Sequence, residues 1–194
     1  MTVLRCTAKL LKRLKLPPKP PEPVAQANPL GEWYADIDFW NRKPYVVMLN
    51  AATGAVLVLN GNAAGLRVLH ERALLQFASL CEHFGIRGPL VDAELHGFHE
   101  GFACAPTRDR SLLASLNQRK NATWAGFEYR GDSLVDAALS DWEHGLFQHP
   151  ALGRNTHHNM DWHMPLDLLR QRLMPAAQVI PFPSSPSTNP SSQA

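Results

Sequence analysis

EWYADIDFWNRKPYVVMLNAATGAVLVLN, residues 32–60, is the stretch on which the fold turns. After Trp33, the residues Tyr34, Asp36 and Asp38 alternate with Ala35, Ile37 and Phe39. That is the period of a strand with one face toward a core. NRKP, residues 41–44, has turn composition, and YVVMLN, residues 45–50, is an almost unbroken apolar run. AATG, residues 51–54, turns again before AVLVLN, residues 55–60. Three strands joined by short turns predict an antiparallel meander. The middle and last strands are expected to be covered on both faces, and the first to keep one face in water.

Outward from the meander, the pattern changes period. A helix is predicted from Ala63 to Phe84, with Leu66, Leu69, Ala73, Phe77, Leu80 and Phe84 on its apolar stripe and Gly85 as its terminator. PLVDAELHGF predicts a short helix and HEGFACAP a further strand. TRDRSLLASLN opens a helix capped by Asp109, DSLVDAALSDWEHGLF gives another, and PLDLLRQRLM a last one starting at Pro165. Toward the N-terminus, Val3–Cys6 reads as a short strand. A helix capped by Thr7 follows, with Leu10, Leu11 and Leu14 facing inward. PPKPPEP, residues 17–23, cannot continue that helix and makes a stiff connector. Strands grouped early and helices grouped late indicate an α+β fold. The expected architecture is a single domain over residues 1–174: an antiparallel meander of about three strands plus one or two short strands, packed against several helices. Residues 175–194 hold five prolines, five serines and no charge, the composition of a disordered tail.

The chain of 194 residues is 45% hydrophobic, with a net charge of +2. That size supports a core without staples. The small net charge does not by itself imply nucleic acid or a membrane as partner. Cys6, Cys81 and Cys104 are odd in number and widely spaced, so neither a disulfide framework nor a cysteine-built zinc site is expected. The first 21 residues carry six basic residues and no acidic one. No apolar secretory segment follows them, and no run is long enough to span a bilayer. A cytoplasmic location is the expectation.

The histidine-rich stretch NTHHNMDWHM offers His157, His158, Asp161 and His163 as candidate metal ligands. A histidine pair at helical spacing with a glutamate base is absent, and Pro165 with a leucine-rich helix follows too soon for a ββα-metal hairpin. A polar loop anchored by tryptophan is the simpler reading, and no metal or cofactor is expected. The chain has no GxSxG and no phosphate-binding glycine loop; NGNAAG, residues 60–65, has neither spacing. TRDRSLLASLNQRKN is more pointed. Arg108, Arg110, Arg119 and Lys120 gather with Asp109 and Asn117 around one helix. A phosphate or carboxylate could bind there near the helix start.

LRCTAKLLKRLK, NPLGEWYADI and TRDRSLLASLN stand in the order of the signature segments of a bacterial family, and the chain resembles domain-of-unknown-function family 6933 from Leu4 to about Leu173. The matching positions are Arg5, Cys6, Thr7, Lys9, Trp33, Tyr34, Ala35, Arg110, Ser111, Leu113, Ser115 and Asn117, while Gln118 stands where the family's block continues with aspartate. The resemblance implies a compact bacterial domain and supplies no reaction. It directs attention to Arg110, Ser111 and Asn117 rather than the histidines.

The candidate ligand-binding residues are therefore Arg5, Trp33, Tyr34, Arg110, Ser111, Asn117 and Lys120. The leading expectation is a non-enzymatic module for an anionic ligand or protein partner, on a surface joining the basic N-terminal helix to the Arg110–Lys120 face. The alternative is a hydrolase of a phosphorylated or nucleic-acid substrate, using Arg110, Ser111 and Asn117 or a metal in the histidine loop. A subunit whose apolar edge strand pairs with a partner is a third reading.

Overall fold

The computed structural model describes residues 1–24, 28–148 and 162–175. The meander forms as predicted. β2 (Trp33–Trp40) pairs antiparallel with β3 (Lys43–Asn50), and β3 with β4 (Val56–Asn60). Asn41 and Arg42 form the first turn with φ of 48° and 63°. That is the two-residue hairpin whose backbone matches strand twist. In the second turn the buried Asn50 accepts from Ala52 N, Thr53 N and Thr53 Oγ1. Gly54 has φ +72°, and a Cβ there would lie 2.2 Å from the Phe147 ring, so only glycine fits.

The sheet is mixed rather than antiparallel. β1 (Thr2–Cys6) lies parallel to β2 on one side and to β5 (Phe102–Pro106) on the other, giving the order β4-β3-β2-β1-β5. The reason is connectivity. A helix and the proline-rich connector carry the chain from the end of β1 back to the start of β2, and such a crossover makes neighbours parallel. The two short strands predicted outside the meander, Val3–Cys6 and the one in HEGFACAP, are thus the ones that add the parallel half.

Among the described residues there are seven α-helices. α1 (Ala8–Arg13) starts at Thr7, whose hydroxyl accepts from Leu10 N at 3.3 Å. The single helix expected over residues 63–84 is two, α2 (Ala63–Arg67) and α3 (Leu69–His83), broken at Val68 with φ −118° and ψ 33°. α4 (Pro89–His99), α5 (Arg110–Ala125), α6 (Leu134–His144) and α7 (Pro165–Leu173) match the predicted segments. Asp109 caps α5 through Ser111 N and Leu112 N, and Pro165 opens α7. Two elements were not anticipated. α5 runs into a π-helical turn, Gly126–Arg130, and a two-stranded ribbon joins β6 (Phe147–Gln148) to β7 (Trp162–His163).

Side chains alternate across β2. Trp33 packs on Phe77 of α3 and Phe98 of α4. Tyr34 and Asp36 point to the other face, where Lys120 of α5 meets Asp36. This second layer explains a departure from expectation: the face of β2 read as wet is covered, and Trp33 through Ile37 are all buried. The core runs from Leu4 to Leu173. The outer edge of β4 is closed by side chains. Gln76 donates to Val58 O at 2.9 Å and accepts from Val58 N at 2.8 Å, and Trp142 Nε1 donates to Val56 O at 2.8 Å. That edge is not available to a partner strand.

No helix among the described residues is long and apolar enough to cross a membrane. The tail beyond Pro175 lies outside the described residues.

Candidate functional site

Two charged clusters sit side by side on the face of β2 that Tyr34 and Asp36 share. The first is built on Arg5, in the middle of β1 between Tyr34 and Ala105 and only 2% exposed. A guanidinium so deep needs carboxylates, and it has two. Arg5 Nη1 donates to Glu22 Oε2 at 2.8 Å, and Nη2 donates both to Glu22 and, at 2.8 Å, to Glu32 Oε1. Arg108 closes the ring from above, with Nη2 2.9 Å from Glu32 Oε1 and Nη1 3.5 Å from Glu22 Oε1. The hydrogen bonds to Glu22 lead in raising the Arg5 pKa, and Arg5 in turn holds the Glu22 carboxyl below its ordinary range. Glu22 belongs to the proline-rich connector, so this ring also fastens the connector onto the sheet. Tyr34 lies alongside; burial, reinforced by Glu32 and Asp109, pushes its phenol pKa up.

The second cluster is built on Asp36 and Asp38. Lys120 Nζ lies 2.5 Å from Asp36 Oδ2 and 3.6 Å from Asp38 Oδ2. Lys9 of α1 reaches Asp38 Oδ1 at 3.4 Å, and the Thr7 hydroxyl donates to Asp36. Lys9 and Arg13 also stand over the Phe39 ring, each 5.2 Å from its centroid. The basic face of α1 thereby abuts the end of β2 and, through Asp38, α5.

The sequence-derived candidates divide between these surroundings. Arg5, Tyr34 and Lys120 come onto one face. Trp33 does not join them: it is buried on the opposite face, donating through Nε1 to Glu94 at 3.0 Å. Arg110, Ser111 and Asn117 are exposed on α5, where no carboxylate among the described residues meets Arg110. His157, His158 and Asp161 lie outside the described residues. His163 is in β7, and its Nε2 is buried with no hydrogen-bond partner among the described residues. No group of three or more potential metal ligands occurs among the described residues.

Several polar residues escaped the sequence reading. Glu22 sits in the proline-rich connector, and Glu32 stands immediately before β2. Glu94 of α4 is fully buried and accepts from Asn28 Nδ2, Leu30 N and Trp33 Nε1. Its position on the stripe Val91, Glu94 and Phe98 was the available signal. Arg119 likewise falls on the buried stripe of α5 with Leu112, Leu116 and Thr123. It bonds Asp141 Oδ2 at 3.1 Å and Leu146 O at 2.5 Å beside a cleft of about 500 Å³. Burial pushes the Asp141 carboxyl up to about 6, against the pull of Arg119.

The thiols are all free. A hydrogen bond with Cys104 leads in raising the Cys6 pKa and lowering that of Cys104.

Comparison with known families adds one assignment. The model of the domain of unknown function DUF6933 matches residues 3–167, and the chain belongs to that family. No curated protein and no solved structure matches it.

Proposed function

We propose that this DUF6933 member is a non-enzymatic binding module, one domain over residues 1–174, whose ligand or partner is anionic. The observation that carries the reading is the meeting of Lys9 and Lys120 on Asp38. It makes the basic face of α1 and the exposed side of α5 one continuous surface. On that surface Lys12, Arg13 and Arg110 are exposed and have no carboxylate partner among the described residues. Lys120 serves the surface differently. It is 13% exposed and held by Asp36, so it fixes α5 against β2 rather than reaching for a ligand. The Arg5 ring is also internally matched, which leaves the contact itself to the outer cations.

The test is retention on a polyanion, heparin–agarose, followed by a salt series with soluble polyphosphate. The triple variant K12E/R13E/R110E is compared with R67E/R72E/R87E, which lowers the net charge equally at exposed positions elsewhere. Retention lost in the first and kept in the second supports the surface. Equal loss in both reduces it to bulk charge, and retention by neither the wild type nor the control removes the proposal. Exposed charge–charge attraction should weaken between about 0.05 and 0.5 M salt as the screening length shortens.

A further inference from the structure

At the tip of the β2–β3 hairpin, three aromatic rings help line a small, half-open cavity. Trp40 ends β2, Tyr45 lies on β3, and Phe127 comes from the π-helical turn. The Trp40 and Phe127 centroids are 5.5 Å apart; those of Tyr45 and Phe127 are 5.1 Å apart with the planes at 88°. The space they line, shared with Lys43, Asn60 and Asp132, is about 200 Å³. That is room for one ring with a small substituent, given that a cavity of about 150 Å³ accepts benzene.

Three features distinguish it from a packing fault. Tyr45 is 2% exposed, yet its hydroxyl has no hydrogen-bond partner among the described residues. Buried hydroxyls are almost always bonded, and one that is not calls for an explanation. The carboxylates on its side of the sheet, Asp36 and Asp38, are already engaged by Thr7, Lys9 and Lys120. Next, Phe127 is carried on a π-helical turn, a form that is rare and frequent at functional sites. That turn is anchored to the hairpin by Glu128, which accepts from Trp40 Nε1 at 2.9 Å. Finally, the charges lining the cavity do not cancel. Asp132 is matched by Arg130 at 2.5 Å, whereas Lys43 is exposed and has no carboxylate partner among the described residues.

We infer that this cavity binds a small aromatic carboxylate. Its ring packs among Trp40, Tyr45 and Phe127, its carboxylate meets the Lys43 ammonium, and a polar ring substituent meets the Tyr45 hydroxyl. An apolar slot with a few placed polar groups is how proteins orient such ligands. The site uses none of the cations assigned to the polyanion surface, so either can fail without the other.

The probes are para-hydroxybenzoate, benzoate and uncharged benzyl alcohol, titrated into the full chain and followed by ligand-observed NMR and tryptophan fluorescence. Both acids should saturate at one molecule per chain, and the alcohol should bind about tenfold more weakly or less. Lys43→Met should cost both acids about tenfold and erase their advantage over the alcohol. Tyr45→Phe should weaken para-hydroxybenzoate several-fold and leave benzoate unchanged. Both variants should keep the wild-type far-UV spectrum, because Lys43 is exposed and the Tyr45 hydroxyl bonds nothing in the described structure. Failure of either acid to saturate below about 10 mM would overturn the inference. So would acid binding that Lys43→Met leaves intact, or a Tyr45→Phe loss that is equal for the two acids.

Discussion

Replacing Glu94 with glutamine exchanges a single heavy atom, oxygen for nitrogen, and should cost far more than a surface substitution. Glu94 is completely buried, and each of its oxygens already faces donors. Oε1 accepts from Trp33 Nε1 at 3.0 Å and Asn28 Nδ2 at 3.2 Å; Oε2 accepts from Leu30 N at 3.0 Å and Asn28 Nδ2 at 3.0 Å. Whichever way the new amide is turned, its NH₂ meets an N–H. At least one charge-assisted bond is lost, worth about 1.5–3 kcal/mol, and the stranded buried donor adds about 1–3 kcal/mol. Relief of carboxylate desolvation, the cause of the raised Glu94 pKa, offsets part of this. A net loss of about 2–4 kcal/mol is expected in urea denaturation at neutral pH followed by far-UV dichroism. Trp33→Phe removes one of the facing donors, so the double variant should lose less than the sum of the singles by about 1–2 kcal/mol. A Glu94→Gln loss below about 0.5 kcal/mol, or strict additivity with Trp33→Phe, would refute the claim that this carboxylate is held by its donors.

Three further outcomes follow from the same structure. Arg42 occupies a left-handed turn position with φ 63°, so Arg42→Gly should raise stability by about 0.5–1 kcal/mol, read as a higher urea midpoint with an unchanged slope. Asp141 titrates near 6 when folded, above its ordinary 3.8, so its protonated form favours the native state. The stability of the wild type relative to Asp141→Asn should therefore fall as pH rises through about 4 to 6, by about 2–3 kcal/mol, and a flat or rising difference would contradict the burial of that carboxyl. Among the thiols, Cys104 is partly exposed with a lowered pKa, whereas burial raises Cys81 to about 12. Mass spectrometry after brief iodoacetamide treatment of the native chain should find Cys104 modified first; early labelling of Cys81 would contradict the packing around it.

What the sequence disclosed, and what it hid, follows from how far each interaction reaches along the chain. The meander was legible because alternation, an Asn-containing turn and a glycine turn are all local. The capping residues Thr7, Asp109 and Pro165 were legible for the same reason. β1 could be recognised as a strand but not as a parallel one, since its neighbours are set by crossovers that leave no local mark. The covered face of β2 was hidden likewise: Tyr34 and Asp36 look like a wet side until α5 arrives from far along the chain. Of the candidate residues, adjacency misled once. Trp33 and Tyr34 are neighbours in sequence and therefore point to opposite sides of the sheet. Arg5 was identified, but not its carboxylates, because Glu22 lies in a connector whose path cannot be read from prolines. The buried Glu94 and Arg119 interrupt apolar stripes, and a charge at such a position is itself the trace of a distant partner.

The plugging of β4 by Gln76 and Trp142 has a consequence for self-association. A sheet that polymerises must offer two open rims, one to receive and one to give. Of the two rims of the five-stranded sheet, the one not closed by such side chains among the described residues is that of β5, a strand of five residues ending in proline. Two molecules joined there back to back would have used up the open border of that sheet, so its growth would end at a pair instead of a fibre.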